Sequence, residues 1–252
     1  MDKEKIVAMR EYLTANTWMN ADFSRSDQGQ KVEMPPVQKA VREDQELIVL
    51  PEVNPEVIQT SSFFDLVTNR KSRRKFTDQA LTMEELSFLL WTTQGVRKQA
   101  GKHVFRVVPS GGNRHTFETY LAVNRVESLA NGIYRYLPLE HAIVLETEFS
   151  DEEELKEKMR AAANIYTFFA DAAVGFMWTT VPYRMEWRYM ECTAKMIAID
   201  AGHVCQNLYL AAEAIGCGTC AMGAYNQTKA DELLKVDGKD EFVVYMAPVG
   251  KV

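Results

Sequence analysis

The sequence has little cysteine, no excess of positive charge and no long apolar run. Its 4 cysteines in 252 residues are too few for a disulfide-stabilised secreted scaffold, and they favour free thiols in a reducing cytoplasm. Lys and Arg total 29, whereas Asp and Glu total 35. The resulting formal charge of −6 argues against a general nucleic-acid or anionic-membrane binder.

No segment matches the requirements for export or membrane insertion. Residues 2–11 are charged too densely for the apolar stretch of about 7–15 residues that a secretory signal needs. The most apolar long stretch, residues 192–215, contains Lys195 and Asp200, whereas a membrane span needs about 20 predominantly apolar residues. We therefore expect a cytoplasmic protein that does not associate with membranes.

What the chain does contain is an ordinary globular composition, with 46% apolar and 25% charged residues. Its length suits one large domain or two small ones, since domains run from roughly 50 to 250 residues. Prolines at positions 35, 36, 51 and 55 interrupt regular elements near the N-terminus. We predict that residues 1–60 form an extended arm that wraps the body or a partner chain, and that residues 61–252 form the functional domain.

Apolar periodicity in the rest of the chain predicts interspersed helices and strands. Thr82 and Glu85 form a capping box at the start of a helix that Gly95 ends. Residues 185–215 are predicted to form one long helix. Helices and strands do not alternate strictly, which indicates an α+β fold with a central sheet covered by helices. The predicted strands lie around residues 120–123, 132–136, 142–145, 172–178, 219–222 and 241–247.

A basic run follows a short predicted helix. Five of the six residues from Arg70 to Lys75 are cationic in an otherwise acidic chain. Arginine suits phosphate because its planar guanidinium donates two parallel hydrogen bonds, and Ser72 adds a hydroxyl. The run is equally consistent with a solvated basic turn at the end of the preceding helix. Alone, it is too short for a nucleic-acid-binding surface.

Two glycine-rich segments are candidate binding loops. Residues 109–115 (PSGGNRH) combine close backbone approach with polar side chains, although a plain turn explains them equally well. Residues 216–225 hold Cys217 and Cys220 in a CxxC pattern, which leaves open a zinc site, a redox dithiol or simple packing of small side chains. His203 lies on an apolar helix, where a histidine is either a core residue or a catalyst.

The order of these segments is more informative than any one of them. An RxSxR turn, a capped helix, PSGGN before a strand, GHxxQN on a long helix and GxGTCxxGA follow one another. In this order the chain resembles the FMN-dependent nitroreductase superfamily, and within it SagB-type dehydrogenases, which oxidise azoline rings in modified peptides. The resemblance covers residues from about 62 onwards. It implies a three-layer α/β/α sandwich with a central mixed sheet and helices on both faces, in a homodimer that holds two FMN molecules at its interface.

The resemblance also implies roles for individual residues. Arg70 and Ser72 would bind the ribityl phosphate, and Arg74 would approach the phosphate or the pyrimidine edge. A backbone N–H of Gly223 or Ala224 would hydrogen-bond to flavin N5 and so take part in catalysis. The other implied cofactor contacts are Lys71 in the N-terminal motif, Pro109, Ser110, Gly111 and Asn113 in a loop lent by the second subunit, Met222 beside the flavin, and Lys251 in place of a C-terminal Lys/Arg pair.

The implied activity is ping-pong hydride transfer through flavin N5, from NAD(P)H to a nitro, quinone or similar small molecule, without a metal. The alternatives are a dehydrogenase of azoline rings in a modified peptide, a non-catalytic flavin-binding protein and a metal-binding thiol protein. The resemblance does not identify the residues that contact the substrate. Five residues are candidates, but each could equally belong to a salt-bridged helix surface. These candidates are Tyr183, Arg184, Arg188, Tyr189 and Lys195.

Overall fold

A central sheet organises the computed structural model, which describes residues 2–252. Its seven strands run in the order β1-β6-β5-β4-β7-β9-β8, and β2 and β3 form a separate hairpin. The strands are β1 (Leu47–Val49), β2 (Val96–Ala100), β3 (His103–Arg106), β4 (Phe117–Val123), β5 (Gly132–Leu137), β6 (Ala142–Glu148), β7 (Val174–Thr180), β8 (Cys217–Thr219) and β9 (Phe242–Lys251).

Helices cover the sheet. The predicted capping box starts one of them: Thr82 Oγ1 accepts the Glu85 N–H at 3.2 Å, and Glu85 Oε2 accepts the Thr82 N–H at 3.0 Å. Within residues 2–252, no helix is both long and apolar enough to cross a membrane. The α-helices are α1 (Lys3–Arg10), α2 (Asn16–Asn20), α3 (Phe63–Asn69), α4 (Met83–Gln94), α5 (Glu152–Ala163), α6 (Tyr183–Tyr189), α7 (Thr193–Ala214) and α8 (Gln227–Leu234).

Each face of the sheet has its own hydrophobic core. Successive β4 side chains point to opposite faces, as a strand requires. Leu121 and Val123 join the core formed with α4 and α7, whereas Tyr120 and Ala122 join the core formed with α5 and α8. The predicted α+β sandwich with helices on both faces is therefore confirmed.

The sheet itself differs from the predicted mixed sheet, because every neighbouring pair of its strands is antiparallel. β4, β5 and β6 follow one another through short turns, and short connections can join only antiparallel neighbours. Among the described residues, parallel pairing is limited to isolated bridges such as that between Ser72 and Thr219.

The predicted single helix over residues 185–215 is wrong, since the structure breaks it into α6 and α7. Met190 adopts a φ of +48°, and residues 190–192 form a short 3₁₀ turn between the two helices. A positive φ is unusual for a non-glycine residue and cannot continue an α-helix. Methionine gives no sequence signal for such a break.

The first sixty residues contact the domain along much of their length. β1 adds an edge strand to the sheet by pairing with β6, and Leu50 is buried in the core beneath it. The chain from about residue 47 therefore shares the core of the domain, although the prediction placed the boundary at residue 60.

A buried ionic cluster joins this N-terminal region and α6 to the sheet. Glu118 on β4 accepts hydrogen bonds from Arg184 Nη2 at 2.5 Å and from the Lys39 N–H at 2.8 Å. Arg135 on β5 lies 3.8 Å from the same carboxylate and pairs with Glu146 at 2.8 Å. The side chains of Glu118 and Arg135 are only 1% and 2% exposed. Their charges are therefore compensated inside the protein and not by solvent.

Candidate functional site

The basic run forms an exposed corner after α3, which we call the cationic corner (Arg70, Lys71, Ser72 and Arg74). Ser72 bridges to Thr219 at the end of β8, which fixes the run against the sheet. Its hydroxyl lies 2.9 Å from the Tyr209 hydroxyl on α7. The serine is therefore held at a defined position among the cations.

The cations of the run divide into one that is paired and others that are not. Arg73 forms an ion pair with Glu213 at 3.2 Å. Within residues 2–252, Arg70, Lys71 and Arg74 form no ion pair with a carboxylate. The guanidinium of Arg70 lies 5.0 Å from the centre of the Tyr209 ring. The unpaired positive charges leave the corner suited to an anion.

The segment after β8 leads from this corner towards a cavity. The Tyr209 hydroxyl, which contacts Ser72, accepts the Ala221 N–H at 2.8 Å. Met222 then exchanges backbone hydrogen bonds with Met246 at 2.8 and 3.2 Å. Gly223, the next residue, lines the cavity. The four residue steps from Thr219 to Gly223 can span up to about 13 Å.

The cavity has a volume of about 1110 Å³ and lies between α6, the start of α7 and β9. Sites for small molecules usually have volumes of roughly 300–1,000 Å³ and mainly apolar walls. Here the walls are largely apolar, with charged residues among them. Its principal lining residues are Tyr183, Glu186, Met190, Ile197, Ala201, Gly223, Phe242 and Tyr245.

The PSGGN loop is held by Asp200 on α7. The Asp200 carboxylate accepts the Ser110 hydroxyl at 2.6 Å and the Gly111 N–H at 3.2 Å. Asn113 Oδ1 lies 2.8 Å from His115 Nε2. Burial raises the pKa of Asp200, while these hydrogen bonds lower it. The loop is therefore rigidly placed before any ligand binds.

The cationic corner and the PSGGN loop are not brought together within one chain. They contact different parts of α7, through Tyr209 and Asp200 respectively. These two residues are nine positions apart, which corresponds to about 13.5 Å along the helix axis. One copy of the chain therefore presents two separate halves of the predicted site.

Lys251 has an environment unlike that of the cationic corner. Its ammonium forms an ion pair with Glu85, the residue of the capping box on α4. Because this carboxylate already neutralises the charge, Lys251 is less suited to bind a phosphate than the cations of the corner.

The cysteines lack the properties of a thiolate site. All four are buried, and burial raises the pKa of Cys205 and of Cys217 to about 12. A redox nucleophile must be a thiolate, and within residues 2–252 no group of three or more His, Cys, Asp or Glu side chains is arranged to hold a metal ion. The buried thiols therefore favour the packing interpretation of the CxxC segment.

The candidate substrate contacts lie in different places. Tyr183 lines the cavity, whereas Arg184 belongs to the buried ionic cluster around Glu118. Lys195 Nζ donates to the Leu13 carbonyl at 2.6 Å. Of these three side chains, only that of Tyr183 is available to a molecule in the cavity.

Two residues that organise the site were missed in the sequence. Tyr209 joins Ser72 to Ala221, and Asp200 fixes the PSGGN loop. The sequence did indicate that these residues are unusual, because each is a polar side chain on an otherwise apolar helix. The apolar periodicity of the helix did not show which groups Asp200 and Tyr209 contact.

Acid should destabilise the protein through His115, a buried residue next to the loop. Burial, followed by the charges of Arg106 and Arg114, lowers the pKa of His115 to about 3. A histidine in the unfolded chain has a pKa near 6.5. As the pH falls below this value, the unfolded state binds a proton at His115 and the folded state does not, so acid favours unfolding. We expect the free energy of unfolding to fall by up to about 1.4 kcal/mol per pH unit from this group.

Urea unfolding between pH 7 and 5 would measure this loss. His115→Gln should flatten the pH dependence, and the same change at the exposed His103 should leave it as in the unmodified protein. Equal slopes for all three proteins would contradict the assignment to His115.

Comparison with known proteins identifies the family. Residues 67–251 match the model of the nitroreductase family. A protein of Methanocaldococcus jannaschii described as a nitroreductase is 31% identical over 187 residues, which cover 74% of this chain and 89% of that protein.

Solved structures share the fold. One is the Escherichia coli microcin synthetase McbBCD complex with truncated pro-MccB17 bound, with a TM-score of 0.59, 17% identity, and coverage of 100% of this chain and 94% of that chain. Another is a Desulfovibrio desulfuricans protein described as a nitroreductase, in complex with FMN, with a TM-score of 0.52, 16% identity, and coverage of 76% and 87%. The chain therefore belongs to the nitroreductase family of oxidoreductases.

Proposed function

We propose that two copies of the chain bind FMN between them and transfer two electrons, in ping-pong order, from NAD(P)H to a nitro, quinone or similar small acceptor. The observation that supports this most is the cationic corner, whose unpaired charges surround Ser72 at the start of a segment that ends in the cavity. We further propose the cytoplasm as its location, in keeping with its free cysteines.

The cationic corner fits the phosphate of a mononucleotide. Arg70 and Arg74 offer planar guanidinium groups, and Lys71 adds a third charge that no described carboxylate neutralises. The Ser72 hydroxyl, fixed by Tyr209, supplies a neutral donor among them. We propose that Arg70 and Ser72 hold the phosphate and that Arg74 reaches either the phosphate or the pyrimidine edge.

The segment after β8 fits a flat ring. A side chain at Gly223 would meet only Tyr245, at 3.9 Å, so space lies open beside this backbone. The N–H groups of Gly223 and Ala224 donate no hydrogen bond within residues 2–252. These exposed donors beside a cavity, free of hydrogen bonds within the described residues, suit the proposed contact with flavin N5, and Met222 precedes them in the same segment.

A second copy would complete the site. The PSGGN loop, with Pro109, Ser110, Gly111 and Asn113, is held on the opposite side of α7 from the cationic corner of its own chain. Small residues at positions 194, 198 and 202 of α7 form an exposed stripe along the cavity, and such a stripe allows another helix to approach closely. We propose that a homodimer brings each loop to the other chain's corner, with residues 1–60 as an arm around the assembly.

FMN held by the cationic corner and the segment after β8 would supply two-electron redox chemistry between a reduced nicotinamide and the acceptor. The chain's own contribution is to bind and orient. The cationic corner would anchor one end of the cofactor, and the fixed N–H groups of Gly223 and Ala224 would hold the reacting edge in position. The apolar walls of the cavity would exclude water from both substrates.

The proposal is tested by loading the protein with FMN and adding NADH or NADPH without oxygen. We expect the flavin absorbance near 450 nm to bleach and to return when menadione is added. Menadione takes up two electrons and two protons in this step to become its hydroquinone. A protein that binds no FMN, or whose bound FMN neither nicotinamide reduces, would contradict this function.

A second candidate is oxidation of an azoline ring in a modified peptide. It is favoured by the likeness over the whole chain to a subunit of the microcin synthetase complex, which holds a truncated peptide precursor. In this reaction the ring loses two hydrogens, and two electrons pass on to oxygen to give hydrogen peroxide. Bleaching by a thiazoline-containing peptide but not by NAD(P)H would support this candidate over the first.

A further inference from the structure

A segment near the N-terminus is fastened to α6, the helix that also lines the cavity. We call residues 18–34 the strap; they lie outside residues 67–251, which match the family. Tyr183, Glu186 and Met190 occupy positions i, i+3 and i+7 and line the cavity. Trp187 lies four positions after Tyr183, on a neighbouring part of the helix surface, and its indole contacts the strap. The same helix therefore contacts both the cavity and the strap.

The strap satisfies a carbonyl that the helix break leaves free. Because α6 ends before Met190, the Trp187 carbonyl lacks a regular helical donor. The Gln28 N–H donates to it at 2.8 Å. The indole N–H of Trp187 donates in turn to the Val32 carbonyl at 3.1 Å. These two bonds fasten a five-residue stretch of the strap to the end of α6.

Aromatic rings extend this contact to the PSGGN loop. Trp18 and Phe23 lie 5.1 and 6.3 Å from Tyr189, measured between ring centres. The Tyr189 hydroxyl would lie 2.4 Å from a side chain at Gly112, a position that also has a φ of +57°. The strap therefore supports both the wall of the cavity and the loop that the partner is proposed to use.

One strap residue acts directly on the cavity lining. The Tyr183 hydroxyl donates to Asp27 Oδ2 at 2.6 Å, while the Tyr183 side chain forms part of the cavity wall. A tyrosine at this place would otherwise be free to change rotamer, since it is 44% exposed. The carboxylate of Asp27 therefore selects its orientation.

We propose that the strap determines which acceptors the cavity admits, with Asp27 as a positioning residue that fixes Tyr183 and, through it, the mouth of the cavity. The inference rests on the proposed function, in which the cavity receives the second substrate. It assigns Asp27 no contact with the reacting atoms. Its effect should therefore appear in acceptor binding and not in the electron-transfer rate at saturation.

The test mixes FMN-loaded protein, reduced by dithionite, with increasing menadione in a stopped-flow instrument. Loss of one hydrogen bond of this kind should raise the half-saturating menadione concentration about two- to tenfold. We expect this rise in Asp27→Ala and in Tyr183→Phe, with limiting rates within about twofold of the unmodified protein. The double variant should be no worse than either single one, because both remove the same bond.

Two further variants separate positioning from loss of structure. Asp27→Asn keeps an acceptor for the tyrosine and should restore near-normal menadione binding. Asp22→Ala removes a cap of a 3₁₀ turn in the same strap but no contact with α6, and it should bind menadione normally. Normal binding in Asp27→Ala and Tyr183→Phe, or an equal defect in Asp22→Ala, would overturn the inference.

A readout without flavin completes the test. Hydrogen exchange of residues 183–190 should become faster in Asp27→Ala than in Asp22→Ala, in the protein with or without FMN. Failure of the unmodified protein to bind FMN or to reduce menadione would contradict the proposed function alone. Equal exchange in the two variants would contradict the role of the strap alone.

Discussion

Glu118→Ala should lower the free energy of unfolding by about 3–5 kcal/mol, because it removes one partner from a buried ionic cluster. The carboxylate compensates Arg184 and Arg135, both nearly inaccessible to solvent. Without it, two guanidinium groups remain buried with one negative charge fewer beside them, and an unpaired buried charge is costly. The same change also frees the Lys39 N–H, so the N-terminal region loses an anchor on the sheet.

Urea unfolding followed by tryptophan fluorescence measures this loss. Glu153→Ala is a matched control, because Glu153 pairs with Arg160 on the exposed side of α5. Exposed pairs contribute about 0–1 kcal/mol, so this variant should remain near the unmodified protein. Similar small losses in both variants would show that burial of the Glu118 cluster does not matter for stability.

The second large effect concerns the cofactor: Arg70→Ala should weaken FMN binding about 10- to 100-fold. A charge-assisted hydrogen bond to phosphate contributes roughly 1.5–3 kcal/mol, and each 1.4 kcal/mol changes the affinity about tenfold. Arg70 is a clear target because no described carboxylate competes for its charge, and because its guanidinium stacks on the ring of Tyr209.

Quenching of FMN fluorescence on titration with apoprotein gives the dissociation constants. Lys75→Ala is the matched control, since it removes an exposed cation from the same run at a position with no proposed contact. Arg70→Lys should give an intermediate affinity, because it keeps the charge but loses the planar fork. Equal weakening by Arg70→Ala and Lys75→Ala would mean that the run attracts FMN only through its overall charge.

Features set by neighbouring residues in the sequence were predictable. The capping box needs only Thr82 and Glu85, three positions apart, and it forms as expected. The hairpin strands β5 and β6 are also local, and they pair through a short turn. The α+β sandwich follows from such elements together with the family resemblance.

Features set by distant contacts were not predictable. The break at Met190 depends on a carbonyl that Gln28 satisfies from far along the chain. Lys251 pairs with Glu85 across 166 positions, whereas the family resemblance implied that it contacts the phosphate in place of a C-terminal Lys/Arg pair. The pairing of β7 with β4 and β9 joins strands that are distant in the sequence, and it too is antiparallel where a mixed sheet was expected.

The candidate site also combines local features that the sequence predicts with distant contacts that it does not. The local run of cations indicated an anion site, but only the structure shows that Glu213 takes up Arg73 and leaves its neighbours unpaired. The sequence also placed the PSGGN loop in the site without showing that Asp200 holds it away from its own chain's cationic corner.

The spacing of Asp200 and Tyr209 on α7 has a geometric consequence for evolution. At about 100° per residue, nine steps turn the helix through about two and a half revolutions, so the two side chains project to opposite sides. Inserting or deleting a single residue between them would swing one by about 100° relative to the other. A related chain that keeps both contacts must therefore keep the same number of residues between these two positions.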